Sequence, residues 1–69
     1  MGMRETILFI AKRAKQLVAE ATEDWRRAEM ALEWVSRATE WARKSGQDNL
    51  LDTCIVCRKE LSIINLIHR

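Results

Sequence analysis

The chain has 69 residues, enough for one small domain with a core of marginal size. Hydrophobic residues make up 48% of it, which is too many for a disordered segment. It has no proline and only two glycines, which excludes a turn-rich β-sandwich or barrel. A formal net charge of +2 does not by itself require a nucleic-acid partner. We expect a single all-α helical domain over residues 1–69.

One apolar stripe runs through the first two thirds of the chain, with spacings that alternate between three and four residues. It keeps its phase from Ile7 to Ala42 without an intervening glycine or proline, so it predicts one long helix over about residues 3–44. A second interpretation divides this segment near residues 21–24, with Thr22 as the N-cap of a new helix. The divided chain would be a monomeric three-helix bundle.

A turn is predicted after the long helix. Gly46 suits the left-handed conformation that ends many helices, and Asp48 or Asn49 suits the N-cap of the next one. A second helix over about residues 50–67 follows, and the short connection predicts an antiparallel hairpin. The stretch 61–67 is also rich in β-forming residues, but the chain offers no second strand to pair with it.

The two predicted helices differ in length, and the shorter one would cover only about half of the longer one. The uncovered N-terminal half would expose its apolar stripe, and exposed stripes usually mark an interface. This mismatch predicts that the hairpin assembles into a homodimer or tetramer with the core of a four-helix bundle or coiled coil. The residues expected at this self-association surface are Ile7, Ala11, Ala14, Val18, Ala21 and Trp25.

A second apolar stripe occupies the C-terminal half of the long segment. At 100° per residue, Met30, Trp34 and Trp41 lie almost opposite the first stripe. Tryptophan is enriched at the energetic centres of protein interfaces. The first functional hypothesis is therefore a non-enzymatic interaction or regulatory module that binds another protein through these three residues.

The alternative hypothesis is a regulator that binds RNA or DNA. A basic helix face would hold phosphates, and its affinity would fall steeply with salt. Acidic residues are interleaved with the basic ones beyond residue 20, which weakens this hypothesis. The basic residues concerned are Lys12, Arg13, Lys15, Arg26 and Arg27.

The two cysteines, Cys54 and Cys57, have C-x-x-C spacing. A redox site would place the reactive thiol at a helix N-terminus, whereas Cys54 lies more than one turn inside the predicted helix. Zinc needs four ligands, and His68 lies about 16 Å from Cys57 along a helix. A zinc site would therefore require the cysteines of two chains. We expect instead two small core residues, with no metal and no cofactor.

The sequence also lacks the motifs of several function classes. It has no glycine-rich phosphate loop, no H-E-x-x-H and no G-x-S-x-G, and His68 has no evident nucleophile partner. We therefore expect no catalytic activity. No secretory signal or long apolar segment is evident, so the sequence predicts a cytoplasmic protein without a membrane partner.

Overall fold

The computed structural model describes residues 2–68, which fold into a bundle of three α-helices. Helix α1 spans Met3–Glu23, α2 spans Ala28–Lys44 and α3 spans Asp48–Ile67, with a 3-10 turn at Trp25–Arg27 between the first two. Each helix contacts both others, and the bundle measures 37 × 18 × 15 Å. The all-α prediction is confirmed, and the division into three helices agrees with the second interpretation of the sequence.

The prediction of one continuous helix over residues 3–44 is wrong, because the chain reverses direction at Asp24. Asp24 has an extended backbone, with φ −137° and ψ 95°, and its Oδ1 accepts a hydrogen bond from the backbone N–H of Arg26 at 3.2 Å. Thr22, the predicted N-cap, instead donates its hydroxyl to the carbonyl oxygen of Val18 within α1 at 2.9 Å. A capping carboxylate therefore begins the new segment without any glycine or proline.

Asp24 should also make the stability of the chain depend on pH. The side-chain hydrogen bond from Arg26 holds the pKa of Asp24 below its ordinary value of 3.8, although desolvation opposes the shift. A lowered pKa in the folded state stabilises the fold above pH 3.8, and this contribution is lost as the pH falls through the lowered value. Asp24→Asn keeps an N-cap acceptor but loses the charge. We expect Asp24→Asn to have a lower melting temperature than the wild type at neutral pH and the same melting temperature in strong acid.

Thermal melts followed by circular dichroism at the two pH values would test this expectation. Asp48→Asn is a suitable control, because Asp48 is an exposed carboxylate in the first turn of α3 that caps no helix through its side chain. An Asp24→Asn protein whose melting temperature stays equally far below that of the wild type at both pH values would show that the charge of Asp24 contributes nothing.

The connection between α2 and α3 is a glycine-terminated helix end. Gly46 has φ 70°, in the left-handed region, as the sequence predicted. Its N–H donates to the carbonyl oxygen of Arg43 at 3.3 Å, and the N–H of Gln47 donates to that of Ala42 at 2.9 Å. This pair of bonds satisfies two of the carbonyls in the last turn of α2. Helix α3 begins two residues before its predicted start, and Gln47 occupies the N-cap position without a side-chain hydrogen bond.

The core is built mostly from small side chains. Alanines of α1 and α2 allow close helix packing, while α3 supplies the two buried leucines. Thr39 is buried among them, and its hydroxyl donates to the carbonyl oxygen of Val35 at 2.7 Å. The buried hydrophobic residues are Ala14, Ala21, Ala28, Ala31, Val35, Ala38, Ala42, Leu50, Cys54, Cys57 and Leu61.

The predicted self-association stripe of α1 faces the core of its own chain. Ala14 and Ala21 are fully buried. Three further members are partly buried and pack against the core: Ile7, Ala11 and Val18. Trp25 lies outside α1 and stays largely exposed. The uncovered half-helix from which self-association was predicted is therefore absent from this fold, because α2 and α3 both cover α1.

Candidate functional site

A groove of about 340 Å³ lies between α1 and α2, beside the turn that joins them. We call it the α1–α2 groove. In a continuous helix Arg13 and Trp34 would be about 32 Å apart. The reversal at Asp24 brings both residues into the wall of one groove. The lining residues are Arg13, Leu17, Glu20, Arg26, Arg27, Met30, Ala31 and Trp34.

The apolar part of this groove combines an exposed side chain with an anchored one. Met30 is 80% exposed, the most exposed large hydrophobic residue of those described. Trp34, one turn further along α2, is partly buried and packs against the core. Trp41 also packs against the core but lies outside the groove lining. The structure thus brings two of the three predicted partner-binding residues together.

The polar rim of the groove is a small network of ion pairs. Glu20 lies 3.5 Å from an Arg13 nitrogen and 3.7 Å from an Arg27 nitrogen. Asp24 lies 3.0 Å from Arg26 Nε and 3.8 Å from Arg27 Nε. Exposed pairs of this kind contribute at most about 1 kcal/mol each. Three guanidinium groups against two carboxylates leave the rim with an excess positive charge.

The predicted basic face is not a single face. Its three arginines gather at the α1–α2 groove, where they pair with carboxylates. Lys15 lines a different groove, between α1 and α3. Lys12 is exposed and lines neither groove. Because the five basic residues are divided between two grooves and the outer surface of α1, they do not form the continuous track that a nucleic-acid backbone would follow.

His68 has a structural contact that the sequence did not indicate. Its ring stacks on that of Trp25, with the ring centres 5.5 Å apart and the planes at 14°. His68 is exposed and occupies the C-cap position of α3. The stack joins the end of α3 to the turn between α1 and α2, beside the α1–α2 groove. Helical spacing could not reveal this contact, since it depends on the reversal at Asp24.

The cysteines are core residues, as predicted. Cys54 and Cys57 are both buried and both free. Burial raises the pKa of each thiol; the neighbouring Cys57 adds to the effect on Cys54, and Glu60 to that on Cys57. A raised pKa lowers the fraction of thiolate, the form that attacks disulfides and binds metals. A zinc site shared between two chains would require both thiols to leave this core.

Thiol labelling should report this burial directly. We expect both cysteines of the native protein to react with a thiol reagent at neutral pH at least about a hundredfold more slowly than in denaturant, because the reaction has to await opening of the bundle. Mass spectrometry of the labelled protein over time would measure the two rates. Labelling of either native thiol at the unfolded rate would contradict a core role.

Within residues 2–68, no three His, Cys, Asp or Glu side chains are placed to share a metal ion. No helix in the same range has the length and apolar character needed to cross a membrane. Family models, curated proteins and solved structures give no match to this chain.

Proposed function

We propose that this chain is a non-enzymatic interaction or regulatory module, and that it binds another protein in the α1–α2 groove. The bound segment would present an apolar side chain flanked by acidic residues. The observation that carries this proposal is Met30, a large apolar side chain left 80% exposed beside Trp34 and below a rim of arginines.

The apolar pair has the properties of an interface centre. A methionine adapts its shape to different partners because it is unbranched and polarisable. A partly buried tryptophan offers a large surface whose position is already fixed by the core. Leu17 and Ala31 complete the apolar lining between the two helices. A partner side chain that fills the groove would cover Met30 and remove its apolar surface from water.

The charged rim selects the kind of partner. The excess positive charge favours acidic residues on either side of the apolar anchor and raises the association rate with an acidic segment. Arg13 and Arg27 share the carboxylate of Glu20, so an incoming carboxylate could replace it without leaving a buried charge unpaired. Arg26 and Arg27 are exposed and Arg13 is partly exposed, so they would contribute more to specificity and association rate than to affinity.

Selection from a library of displayed random peptides, with the whole chain as bait, would test the proposal. We expect enriched peptides to carry an apolar anchor flanked by Asp or Glu. The affinity of a selected peptide should fall at least tenfold in Met30→Glu, which removes the apolar contact and places a carboxylate beside the acidic flank. Because Met30 is exposed, this substitution should leave the fold intact. Trp34→Ala should also abolish peptide binding. Because Trp34 packs against the core, circular dichroism must first show that this variant is folded.

Ile63→Glu is the matched control, because Ile63 is an exposed apolar residue of α3 outside the groove. Equal loss of peptide affinity in Ile63→Glu and Met30→Glu would contradict a site in the α1–α2 groove. A chain that selects no peptide, yet binds RNA with a steep salt dependence that Met30→Glu leaves unchanged, would favour the nucleic-acid alternative instead.

A further inference from the structure

A second exposed apolar surface lies on the opposite side of α1 from the α1–α2 groove. Ile63 is 56% exposed and Ile67 70%, and Val56 is exposed in the same way. These three residues of α3 are separated by seven and four positions, so they lie on one side of the helix. Val56 lines a groove of about 310 Å³ between α1 and α3. We call this surface the α1–α3 face.

Helix α1 contributes to the same face. Lys15 lines the groove opposite Val56 and Glu60. Leu8 lies seven residues before Lys15, on the same side of α1, and it is exposed as well. The face therefore joins apolar side chains from two helices around charged groups of both signs.

The charged groups that line this groove form no ion pair with any other described residue. The ion pairs of residues 2–68 all lie within α1, within α2 or at the turn between them. Neither Lys15 nor Glu60 takes part in any of them, although both line the same groove. Asp52 lines the groove as well and is also outside these ion pairs. One cation and two carboxylates without an ion pair on an apolar surface make the face complementary to itself.

We propose that the α1–α3 face binds a second copy of this chain about a twofold axis that runs along the helices. The stack of Trp25 on His68 brings the C-terminal ends of α1 and α3 together, so the two helices point the same way. This axis therefore sets α1 of each copy against α3 of the other. Lys15 then faces the partner's Glu60, and the pair occurs twice because the interface is symmetric. A standard interface buries about 800 Å² on each partner, roughly a sixth of the 5082 Å² that the chain exposes.

This dimer uses different residues from the α1 stripe that the sequence indicated, and it does not rest on the proposed function. The α1–α2 groove stays open in it, since the groove lies on the other side of α1. Loss of dimerisation and loss of peptide binding are thus separate outcomes, measured on separate variants.

Sedimentation equilibrium over a dilution series tests whether the α1–α3 face forms the dimer. We expect the wild type to dimerise reversibly, Ile63→Glu to remain monomeric, and Met30→Glu to dimerise like the wild type. Circular dichroism would confirm that both variants keep their helix content. A wild type that stays monomeric at the highest concentration would overturn the proposal, as would an Ile63→Glu protein that dimerises normally.

Charge reversal tests the pairing. Lys15→Glu alone places two carboxylates opposite each other, and Glu60→Lys alone places two cations opposite each other. Each variant should weaken its own dimer about tenfold, because the reversed pair occurs twice. Mixing the two variants in low salt should restore dimers. Each would be a heterodimer of one Lys15→Glu chain and one Glu60→Lys chain. Mixing leaves the charges within each chain unchanged, so only contacts between chains can produce the recovery. Absence of recovery would overturn the proposed pairing.

Discussion

Leu61→Ala is expected to leave most of the protein unfolded at 25 °C. Leu61 is 0% exposed and belongs to the largest fully buried side chains of the bundle. Replacing a buried leucine by alanine costs about 2–5 kcal/mol, from lost burial and from the cavity that remains. A single core in a chain of this size rarely supplies more than about 3–5 kcal/mol. Six of the eleven buried hydrophobic residues of the core are alanines, and a methyl side chain has no rotamer that could move into the cavity.

Leu66→Ala is the matched control for this expectation. It makes the same chemical change in the same helix, but Leu66 is exposed. Urea unfolding followed by circular dichroism would give the two free energies of unfolding. We expect Leu66→Ala to differ from the wild type by less than about 0.5 kcal/mol. Similar losses in the two variants would show that α3 does not pack in the observed register.

Ala14→Asp should abolish folding rather than only dissociate an assembly. Ala14 is 0% exposed in the middle of α1. A carboxylate at this position would have to be buried without a partner or protonated, and either costs several kcal/mol. If α1 instead used this residue only to bind a second chain, the variant would remain a folded, helical monomer. Size-exclusion chromatography with circular dichroism distinguishes these outcomes.

Ala19→Asp is the control, since Ala19 is an exposed alanine of the same helix. It carries the same loss of helix propensity, well under 1 kcal/mol, without the burial. The difference between the two variants therefore isolates burial of the charge. A folded Ala14→Asp protein with the stability of Ala19→Asp would contradict the packing of α1 against α2 and α3.

The apolar spacing predicted which residues face a core but not the direction of the chain. The stripe keeps its phase through the segment between Ala21 and Ala28, both of which are buried. The phase of the apolar stripe alone cannot distinguish one continuous helix from two antiparallel helices that present the same face to a shared core. The stop signal was Asp24, whose extended backbone and capping carboxylate need no glycine. Thr22 is also a residue type that caps helices, but its hydroxyl bonds back to Val18 within α1.

Features that depend on local chemistry were predictable, and those that depend on the reversal were not. The left-handed turn at Gly46 and the burial of Cys54 and Cys57 follow from conformational freedom and spacing along one helix. The α1–α2 groove brings Arg13 beside Trp34, residues far apart in a continuous helix. The residue type of Trp34 is enough to predict a binding role, but its neighbours in the groove follow only from the three-dimensional fold.

Nuclear magnetic resonance mapping of a selected acidic peptide on the uniformly ¹⁵N-labelled chain tests the central claim most directly. We expect the largest amide shifts near Leu17, Met30, Ala31 and Trp34, with the α3 residues Val56 and Ile63 unaffected. Shifts that concentrate on the α1–α3 face, or peptide binding that leaves the amides near Met30 unchanged, would contradict the α1–α2 groove as the binding site.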